Sequence, residues 1–504
     1  MLRFNFKHRE VNSSNRLGKK KSNTMEETKS NTMEEKRSNK LSIGVVVLKT
    51  ASIFPSKPAP VRQSLPLSHL DSDLIFDIPF STLRLYASSP STADPADVIA
   101  MALPAALDFY HPLAASLQRC PSGIRLEVGP TPVGVFFIRA ASPLTLAEVW
   151  AQRDSPLLRG LVPSVLPDHR ALVHPVALQV TTLACGGFAL GMYVQHALCD
   201  GAGATQFLST VAGFARGAGP PTVVPIWERA DLLGPRTPAK VEVPFRDVLG
   251  FDSEVASSGP YAVANARTDG PFIREFFDVN EARLNGFRNK LAEEAAMSFT
   301  TFQALSAFIW RARIEASEYS NDEVVKLVYS MNIGKLLKPA LPAGYWGNVC
   351  VPVYVQLTVG ELLKQPLWKT AKLIKMSKDN VTDEYVRSYI DFQELHYADG
   401  ITAGTRVSAF TDWRHLGHSN IDFGWGGPVN VMPLSWKLLG SLEPCFFLPN
   451  GTNEVEKQNN FRMLISLPEK DMKRFKACVE KGLAVAYSPL CMETKALTIA
   501  DSAL

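Results

Sequence analysis

The sequence contains few of the signals that mark disulfide-rich, zinc-binding, nucleotide-hydrolysing or membrane-spanning proteins. Its seven cysteines are scattered and form no Cys-x-x-Cys pair, which excludes a disulfide framework and a zinc site and favours a reducing compartment. No glycine-rich loop of the P-loop type is present, so nucleotide hydrolysis is not indicated. Gln, Thr and Gly interrupt the uncharged stretch 177–194, which is therefore predicted to be a buried strand pair rather than a membrane helix.

Most of the chain carries almost no net charge. Residues 1–42 hold eleven Lys and Arg against five Asp and Glu, so their +6 exceeds the +4 of the whole chain and leaves the remainder at −2. Such a body gives no electrostatic case for a nucleic acid or an anionic membrane as partner. The first apolar run, 43–48, is too short and too far into the chain for a secretory signal, so we expect a cytoplasmic protein.

Composition divides the 504 residues into five segments. We predict a disordered basic N-terminal extension, a first domain, a proline-rich crossover, a second domain and a C-terminal tail, at 1–42, 43–216, 217–270, 271–484 and 485–504. The extension is polar and repetitive, so it cannot bury enough apolar surface to offset the entropy lost on ordering. A transit peptide remains an alternative, because residues 1–21 hold seven Lys and Arg and one Glu.

Strand-like and helix-like segments alternate through both predicted domains, which is typical of the α/β class. Strands are predicted at 43–50, 133–138, 177–195 with a turn at 186–187, 272–279, 325–331, 349–357, 406–410 and 460–466. Helices are predicted at 95–110, 202–216, 362–378 and 469–481, and a further helix through 313 is predicted to begin at a cap, either Ser298 or Thr300. Pro104 is expected to kink the first of these helices or to end it early.

One strand end carries a candidate reacting group. The strand runs out at Gln195, His196 follows, and a helix is predicted just past Gly201. Imidazole titrates near ~6.5, so a neutral histidine there can take a proton from a hydroxyl or an amine. Asp200 lies four residues on and could fix the loop by a hydrogen bond or an ion pair. Alone, this pattern equally fits a hydrogen-bonded loop histidine, and no second ligand pairs with His196 at metal-binding spacing.

A second motif lies near the C-terminal end of the chain. It reads Asp422, Phe423, Gly424, Trp425, Gly426, a string whose chance occurrence is on the order of one in ten thousand at typical residue usage. The two glycines allow a tight backbone path that holds the indole ring at a fixed place. The motif therefore predicts a structural turn, in which Asp422 is a hydrogen-bond anchor rather than a catalytic acid.

Together, 196–201 and 422–426 resemble the two signatures of the plant BAHD acyltransferases, His-x-x-x-Asp-Gly and Asp-Phe-Gly-Trp-Gly. Further segments similar to this family lie at 67–71, 110–114, 227–229, 301–313 and 341–348. The resemblance implies an α/β fold of two similar chloramphenicol-acetyltransferase-like domains, with mixed sheets and a solvent channel at their interface. It also implies a monomer.

The resemblance further implies a reaction. His196 would deprotonate an alcohol or amine acceptor, which attacks the thioester of acyl-CoA as co-substrate, without a permanently bound cofactor or a metal. Asp200 and Gly201 would orient the loop, while Thr411 and Trp413, which match a Thr-x-Trp segment of the family, would donate to the oxyanion or line the channel. We expect an alcohol rather than a polyamine acceptor, because the sequence shows no acidic cluster to line a polyamine channel.

The sequence also departs from the family pattern. Gly334 stands where members carry an arginine that pairs with the motif aspartate, and Lys335 lacks the planar fork that grips a carboxylate. Ser116 stands where an arginine is common. His415 occupies the place of a carboxylate-binding arginine in shikimate-using members, which argues against shikimate or quinate. The missing arginine motivates an alternative, a catalytically silent paralogue that binds acyl-CoA or a protein partner.

Overall fold

The computed structural model describes residues 44–58, 64–90, 93–119, 126–153, 155–164, 173–260, 272–435, 438–440, 444–449, 460–486 and 492–493. The predicted extension at 1–42 lies outside the described residues, as do 261–270 of the crossover and most of the predicted tail. The division into domains therefore remains a prediction.

The first half of the chain forms most of a six-stranded mixed sheet. Its order is β1-β6-β7-β8-β3-β15. The bounds are β1 Val46–Ile53, β3 Pro79–Tyr86, β6 Val135–Ser142, β7 Val176–Leu183, β8 Phe188–Gln195 and β15 Asn430–Pro433. The strands β7 and β8 are antiparallel and buried, as predicted for the uncharged stretch, and they turn at Gly186 with φ +79°. Within the described part of the chain, the helices are all too short or too polar to cross a bilayer.

The second half forms a seven-stranded mixed sheet in the order β12-β11-β14-β16-β17-β10-β18. Its strands are β10 Phe272–Asn280, β11 Val324–Asn332, β12 Cys350–Thr358, β14 Val407–Asp412, β16 Cys445–Leu448, β17 Asn460–Pro468 and β18 Met492–Glu493. The other described strands form two small sheets. One sheet contains β2 Leu65–Pro66, β4 Ala115–Arg119 and β5 Leu126–Pro132, and the other contains β9 Gly250–Phe251 and β13 Ile401–Thr402.

Helices cover both sheets, and most of them begin at a residue that caps the first turn. Their bounds are α1 Pro95–Leu107, α2 Leu146–Ala151, α3 Gly201–Ala215, α4 Arg229–Leu232, α5 Ser253–Ser258, α6 Glu281–Ala295, α7 Thr301–Ser317, α8 Val359–Lys364, α9 Leu367–Asp379, α10 Asp383–His396 and α11 Glu469–Ala486. Thr300 caps α7 in a reciprocal capping box with Gln303, which agrees with the predicted helix start. Pro104 lies inside α1, which ends three residues later.

The prediction of a single helix over 362–378 is wrong. Pro366 separates α8 from α9, and Gln365 before it is extended, with ψ 152°. A proline disfavours the helical conformation of the residue that precedes it, because its ring clashes with that residue's backbone. Helix α10 and strand β3 were not predicted.

The two halves share a sheet at one edge. Strand β15 comes from the second half but pairs antiparallel with β3 of the first, with Val431 opposite Arg84. One apolar core continues across this seam, where Val328 and Ala409 of the second sheet join the core of the first. The halves are therefore packed as one body along the face where the candidate site lies.

The close packing behind β8 predicts that Gly191 tolerates no side chain. A Cβ atom there would overlap the carbonyl oxygen of Leu161 and approach Cα of Val162 to 2.6 Å. We expect Gly191→Ala to destabilise the fold by about 1–3 kcal/mol or more and to lower the thermal unfolding midpoint measured by circular dichroism. Gly213→Ala is the control, because its Cβ meets no atom within 4 Å and alanine favours the helix by ~1 kcal/mol. Equal midpoints for the two variants would contradict this packing.

Candidate active site

His196 lies immediately after β8, where it begins a short 3-10 turn that runs to Leu198. Its backbone N–H donates to the carbonyl of Ile78 at 2.9 Å. Its own carbonyl accepts from the Nδ2 of Asn348, also at 2.9 Å. The backbone of this turn is thus held from both halves of the chain, which fixes the origin of the imidazole side chain.

The ring of His196 lies between two phenylalanine rings. Phe76 stacks on it with centroids 4.6 Å apart and an interplanar angle of 5°, and Phe80 meets it edge-on at 5.7 Å. The Nδ1 atom is buried, and the side chain lines the cavity, which leaves Nε2 as the nitrogen available to it. Burial lowers the pKa of His196 to about 4, although the backbone carbonyl of His196 itself, the side chain of Asn348 and the charge of Asp71 oppose that shift. The imidazole is therefore neutral at physiological pH and able to accept a proton.

A buried polar cluster supports the turn from beneath. The carboxylate of Asp71 accepts from both the backbone N–H and the Nδ2 of Asn348, at 2.7 and 2.9 Å, and from Nη1 of Arg229 at 3.3 Å. Arg229 in turn donates to the carbonyl of Leu198 at 2.7 Å. Asp71, Arg229 and Asn348, here called the support cluster, are all at most 2% exposed and come from three distant segments. The sequence shows these three segments as similar to BAHD segments, but it gives no role for Asp71, Arg229 or Asn348.

Asp200 caps the helix that follows the turn. Its Oδ1 accepts from the backbone N–H groups of Ala202 and Gly203, both at 3.0 Å, and its Oδ2 accepts from Val349 at 3.3 Å. Gly201 is the first residue of α3, and a Cβ there would lie 3.0 Å from the side chain of Leu416. Burial raises the pKa of Asp200, while these hydrogen bonds oppose the shift.

No cation pairs with Asp200 among the residues that the structure describes. Lys335, considered above as a substitute for the missing arginine, is exposed, and the ion pairs of the described residues do not join it to Asp200. Gly334 has no side chain that could pair with Asp200, and its backbone N–H donates to Oδ1 of Asn332. Backbone N–H groups take the place of the arginine at this carboxylate.

A cavity of about 430 Å³ opens beside His196, between the two halves of the chain. The first half contributes Phe76, Phe80, Thr82, Arg84 and His196, and the second contributes Gln303, Tyr329, Thr411, Trp413 and His418. Thr411 and Trp413, at the end of β14, thus share the cavity with His196. Asp200 and Asp412 also reach its wall, but Asp412 is paired with Arg414 at 2.6 Å.

The 422–426 motif lies outside this cavity. Oδ1 of Asp422 accepts from the N–H groups of Gly424 and Gly426 at 2.7 and 2.8 Å, and both glycines have positive φ angles. Phe423 is buried against Tyr86, and Trp425 meets Phe188 edge-on at 5.6 Å. Phe188 begins β8 and His196 follows its end, so the motif lies roughly 25 Å along the sheet from the histidine. It leads directly into β15 and joins the second half to the first sheet.

The two histidines that follow Trp413 lie in different environments. His415, which the family pattern places at a substrate-binding position, is exposed. His418, three residues on, is buried and lines the cavity, with its ring 5.0 Å from that of Trp413. No local signal in the sequence separates these two residues.

The contacts of Asp200 generate a prediction about its substitutions. Asparagine is also a good N-cap, so Asp200→Asn keeps an acceptor for Ala202 and Gly203, whereas Asp200→Ala removes it at a cost of about 1–2 kcal/mol. We expect Asp200→Asn to retain several-fold more activity and a higher thermal midpoint than Asp200→Ala. Equal losses in both variants would show that the negative charge, rather than the cap, is what the site requires.

Comparison with known proteins places these features in a family. The model of the Transferase family matches residues 43–481. Spermidine coumaroyl-CoA acyltransferase of Arabidopsis thaliana is 31% identical over 82% of this chain and 90% of its own. 3'-N-debenzoyl-2'-deoxytaxol N-benzoyltransferase of Taxus canadensis is 32% identical over 85% of this chain and 94% of its own.

Solved structures share the fold. Vinorine synthase superposes with a TM-score of 0.65 at 19% identity, over 85% of this chain and 96% of its own. F. graminearum TRI101, solved with ethyl coenzyme A, superposes with a TM-score of 0.64 at 16% identity, over 82% of this chain and 97% of its own. These likenesses confirm the expected chloramphenicol-acetyltransferase-like α/β fold. Because the family model covers most of the sequence and relatives above 30% identity span more than four fifths of it, the chain belongs to this Transferase family, the BAHD acyltransferases.

Proposed function

We propose that this BAHD acyltransferase moves an acyl group from acyl-CoA to the hydroxyl, or the amine, of a plant secondary metabolite, with His196 as general base. The observation that carries the proposal is a buried, neutral imidazole that opens onto a cavity between the two halves. A base of this kind needs a free nitrogen within hydrogen-bond reach of the acceptor, and the place of His196 on the cavity wall supports this role.

The steps follow from the arrangement. Nε2 of His196 takes the proton of the acceptor as its oxygen or nitrogen attacks the thioester carbonyl. The tetrahedral intermediate then collapses, the carbon–sulfur bond breaks, and the imidazolium returns the proton to the leaving thiolate. Charge develops on the carbonyl oxygen, and the positions of Thr411 and Trp413 on the cavity wall support their assignment as oxyanion donors or channel walls.

The cavity wall favours an alcohol acceptor over a polyamine. Both carboxylates on the wall are already engaged, Asp200 by backbone N–H groups and Asp412 by Arg414. The wall also carries Arg84, whose positive charge would repel an ammonium group. The Arabidopsis relative named for spermidine therefore does not set the expected acceptor of this chain.

The remaining parts of the proposal concern the state of the protein. We infer a cytoplasmic monomer that uses acyl-CoA as co-substrate, holds no permanent cofactor, and has no nucleic-acid or membrane partner. Cys199 and Cys445 are buried free thiols, which supports a reducing compartment. Size-exclusion chromatography with light scattering would measure the oligomeric state directly.

Removal of His196 tests the reaction. We expect the wild-type protein to release coenzyme A thiol from at least one of acetyl-, malonyl-, benzoyl- or coumaroyl-CoA only when pooled plant alcohols and amines are added. His196→Ala should lower that release at least 100-fold, as the loss of a general base does, with an unchanged thermal midpoint. His415→Ala is the control and should retain full turnover, because His415 is exposed. Release without acceptor dependence, or full release by His196→Ala, would contradict the proposal. Thermal protection by coenzyme A without any turnover would instead support the silent paralogue.

The pH profile is a second test. Protonation of His196 blocks it as a base, so activity falls as the pH drops through its pKa. Because burial lowers that pKa to about 4, we expect kcat/KM to stay level from pH 8 down to about 5.5 and to lose activity only near pH 4. Circular dichroism at each pH would show that the fold persists. A midpoint near ~6.5, the ordinary value for histidine, would contradict the buried neutral base.

A further inference from the structure

The cavity wall contains a buried guanidinium without a counter-ion. Arg84 is fully buried, and it lies on the face of β3 that Phe80 and Thr82 share. It donates to Oγ1 of Thr82 at 2.9 Å and to Nδ1 of His418 at 3.1 Å. Among the residues that the structure describes, no carboxylate pairs with it. Burial lowers the pKa of Arg84 to about 10, so the group remains a cation at neutral pH.

Two donors at this place have no acceptor. Nδ1 of His418 lies 3.1 Å from Nη2 of Arg84 and 2.8 Å from Oγ1 of Thr205. An arginine can only donate, so Nδ1 accepts from Arg84 in the tautomer that carries the single proton of the neutral ring on Nε2. Burial, reinforced by Arg84, keeps the pKa of His418 well below its usual range, which makes the neutral form the relevant one. Both Nε of Arg84 and Nε2 of His418 are buried without a hydrogen-bond partner in the described part of the chain.

An unpaired buried cation and two unsatisfied donors destabilise a protein unless a ligand compensates them. We propose that Arg84 and His418 form a carboxylate-binding wall, which holds an anionic group of one of the two substrates while the other end of that substrate reacts beside His196. This inference rests on the proposed function and adds to it the chemical class of one substrate. It differs from the family's arginine position, which His415 occupies here on the surface.

The strand geometry limits the length of that substrate. Alternate residues on one face of β3 are about 6.6–6.8 Å apart, and Phe80, whose ring contacts His196, is one such step from Thr82. The guanidinium of Arg84 bends back to Thr82, to which it is hydrogen-bonded. The reacting atom and the carboxylate are therefore separated by roughly 7–10 Å on this spacing.

The carboxylate could belong to the acceptor or to the acyl group, and the experiment separates these sources. Thiol release would be measured with 8-hydroxyoctanoate and 4-hydroxycinnamate, each against its methyl ester, which removes only the charge. In parallel, suberoyl-CoA, whose free carboxylate lies at the far end of an eight-carbon chain, would be compared with octanoyl-CoA, using a neutral acceptor from the pooled alcohols. We expect an acid to exceed its ester, or suberoyl-CoA to exceed octanoyl-CoA, at least tenfold in kcat/KM.

Substitution of Arg84 completes the test. Arg84→Met should reduce that preference to about twofold or less, and Arg84→Lys, which keeps the charge but not the fork, should retain part of it. Because the variant removes an uncompensated buried charge, Arg84→Met should unfold at the same temperature as the wild type or higher in the absence of substrate. Arg474→Met, at a half-exposed ion pair with Glu318, is the matched control and should leave the preference unchanged.

The outcomes distinguish this inference from the proposed function. Turnover of neutral alcohols without a preference for either anionic substrate would overturn the carboxylate-binding wall and leave the acyltransferase intact. A preference that survives in Arg84→Met would overturn it as well. Failure of every acyl-CoA and acceptor pair would instead overturn the proposed function. If Arg84→Met does not fold, Arg84→Lys and the wild-type ratios still decide the question.

Discussion

The carboxylate of Asp71 is the acceptor on which the geometry of the site depends. It is fully buried, and it receives the guanidinium of Arg229 and the N–H donors of Asn348, which lie 158 and 277 residues further along the chain. Those partners then hold the carbonyls of His196 and Leu198. Loss of one member of such a buried pair leaves the other charge uncompensated, so the cluster can exist only when both halves are docked. Docking of the halves and positioning of His196 are thus the same physical event.

Burial has opposite consequences for the two kinds of titratable group at the cavity. For His196 it favours the neutral form, which is the form that can act as a base, and no free energy is lost in keeping a charge away from water. For Arg84 it imposes a cost, because a guanidinium keeps its charge even at a lowered pKa. A buried charge that destabilises the free protein is retained where a bound ligand compensates it. A specificity role for Arg84 is therefore favoured over a structural one.

The sequence was sufficient around His196 and in the 422–426 motif, where the signal was local. The strand, turn and helix around His196 are contiguous, and the 422–426 motif encodes its own turn through Asp422 and two glycines. Asn348 could not be assigned, because its partner Asp71 lies 277 residues away and one sequence gives no distances between such segments. Strand β15 escaped prediction for the same reason, since four residues acquire a register only from the sheet they join. The break at Pro366 was different, because the proline itself was a sufficient signal.

The absence of an arginine at position 334 acquires a different meaning from these contacts. The pattern of the family suggested that the Asp200 loop would lose its support and that activity would suffer. In this chain the carboxylate is instead satisfied by the N–H groups of Ala202, Gly203 and Val349, which are donors that every residue type except proline supplies. The neighbouring turn is held independently through Asn348. Since His196 keeps its position without the arginine, the missing side chain no longer favours the silent paralogue over the proposed acyltransferase.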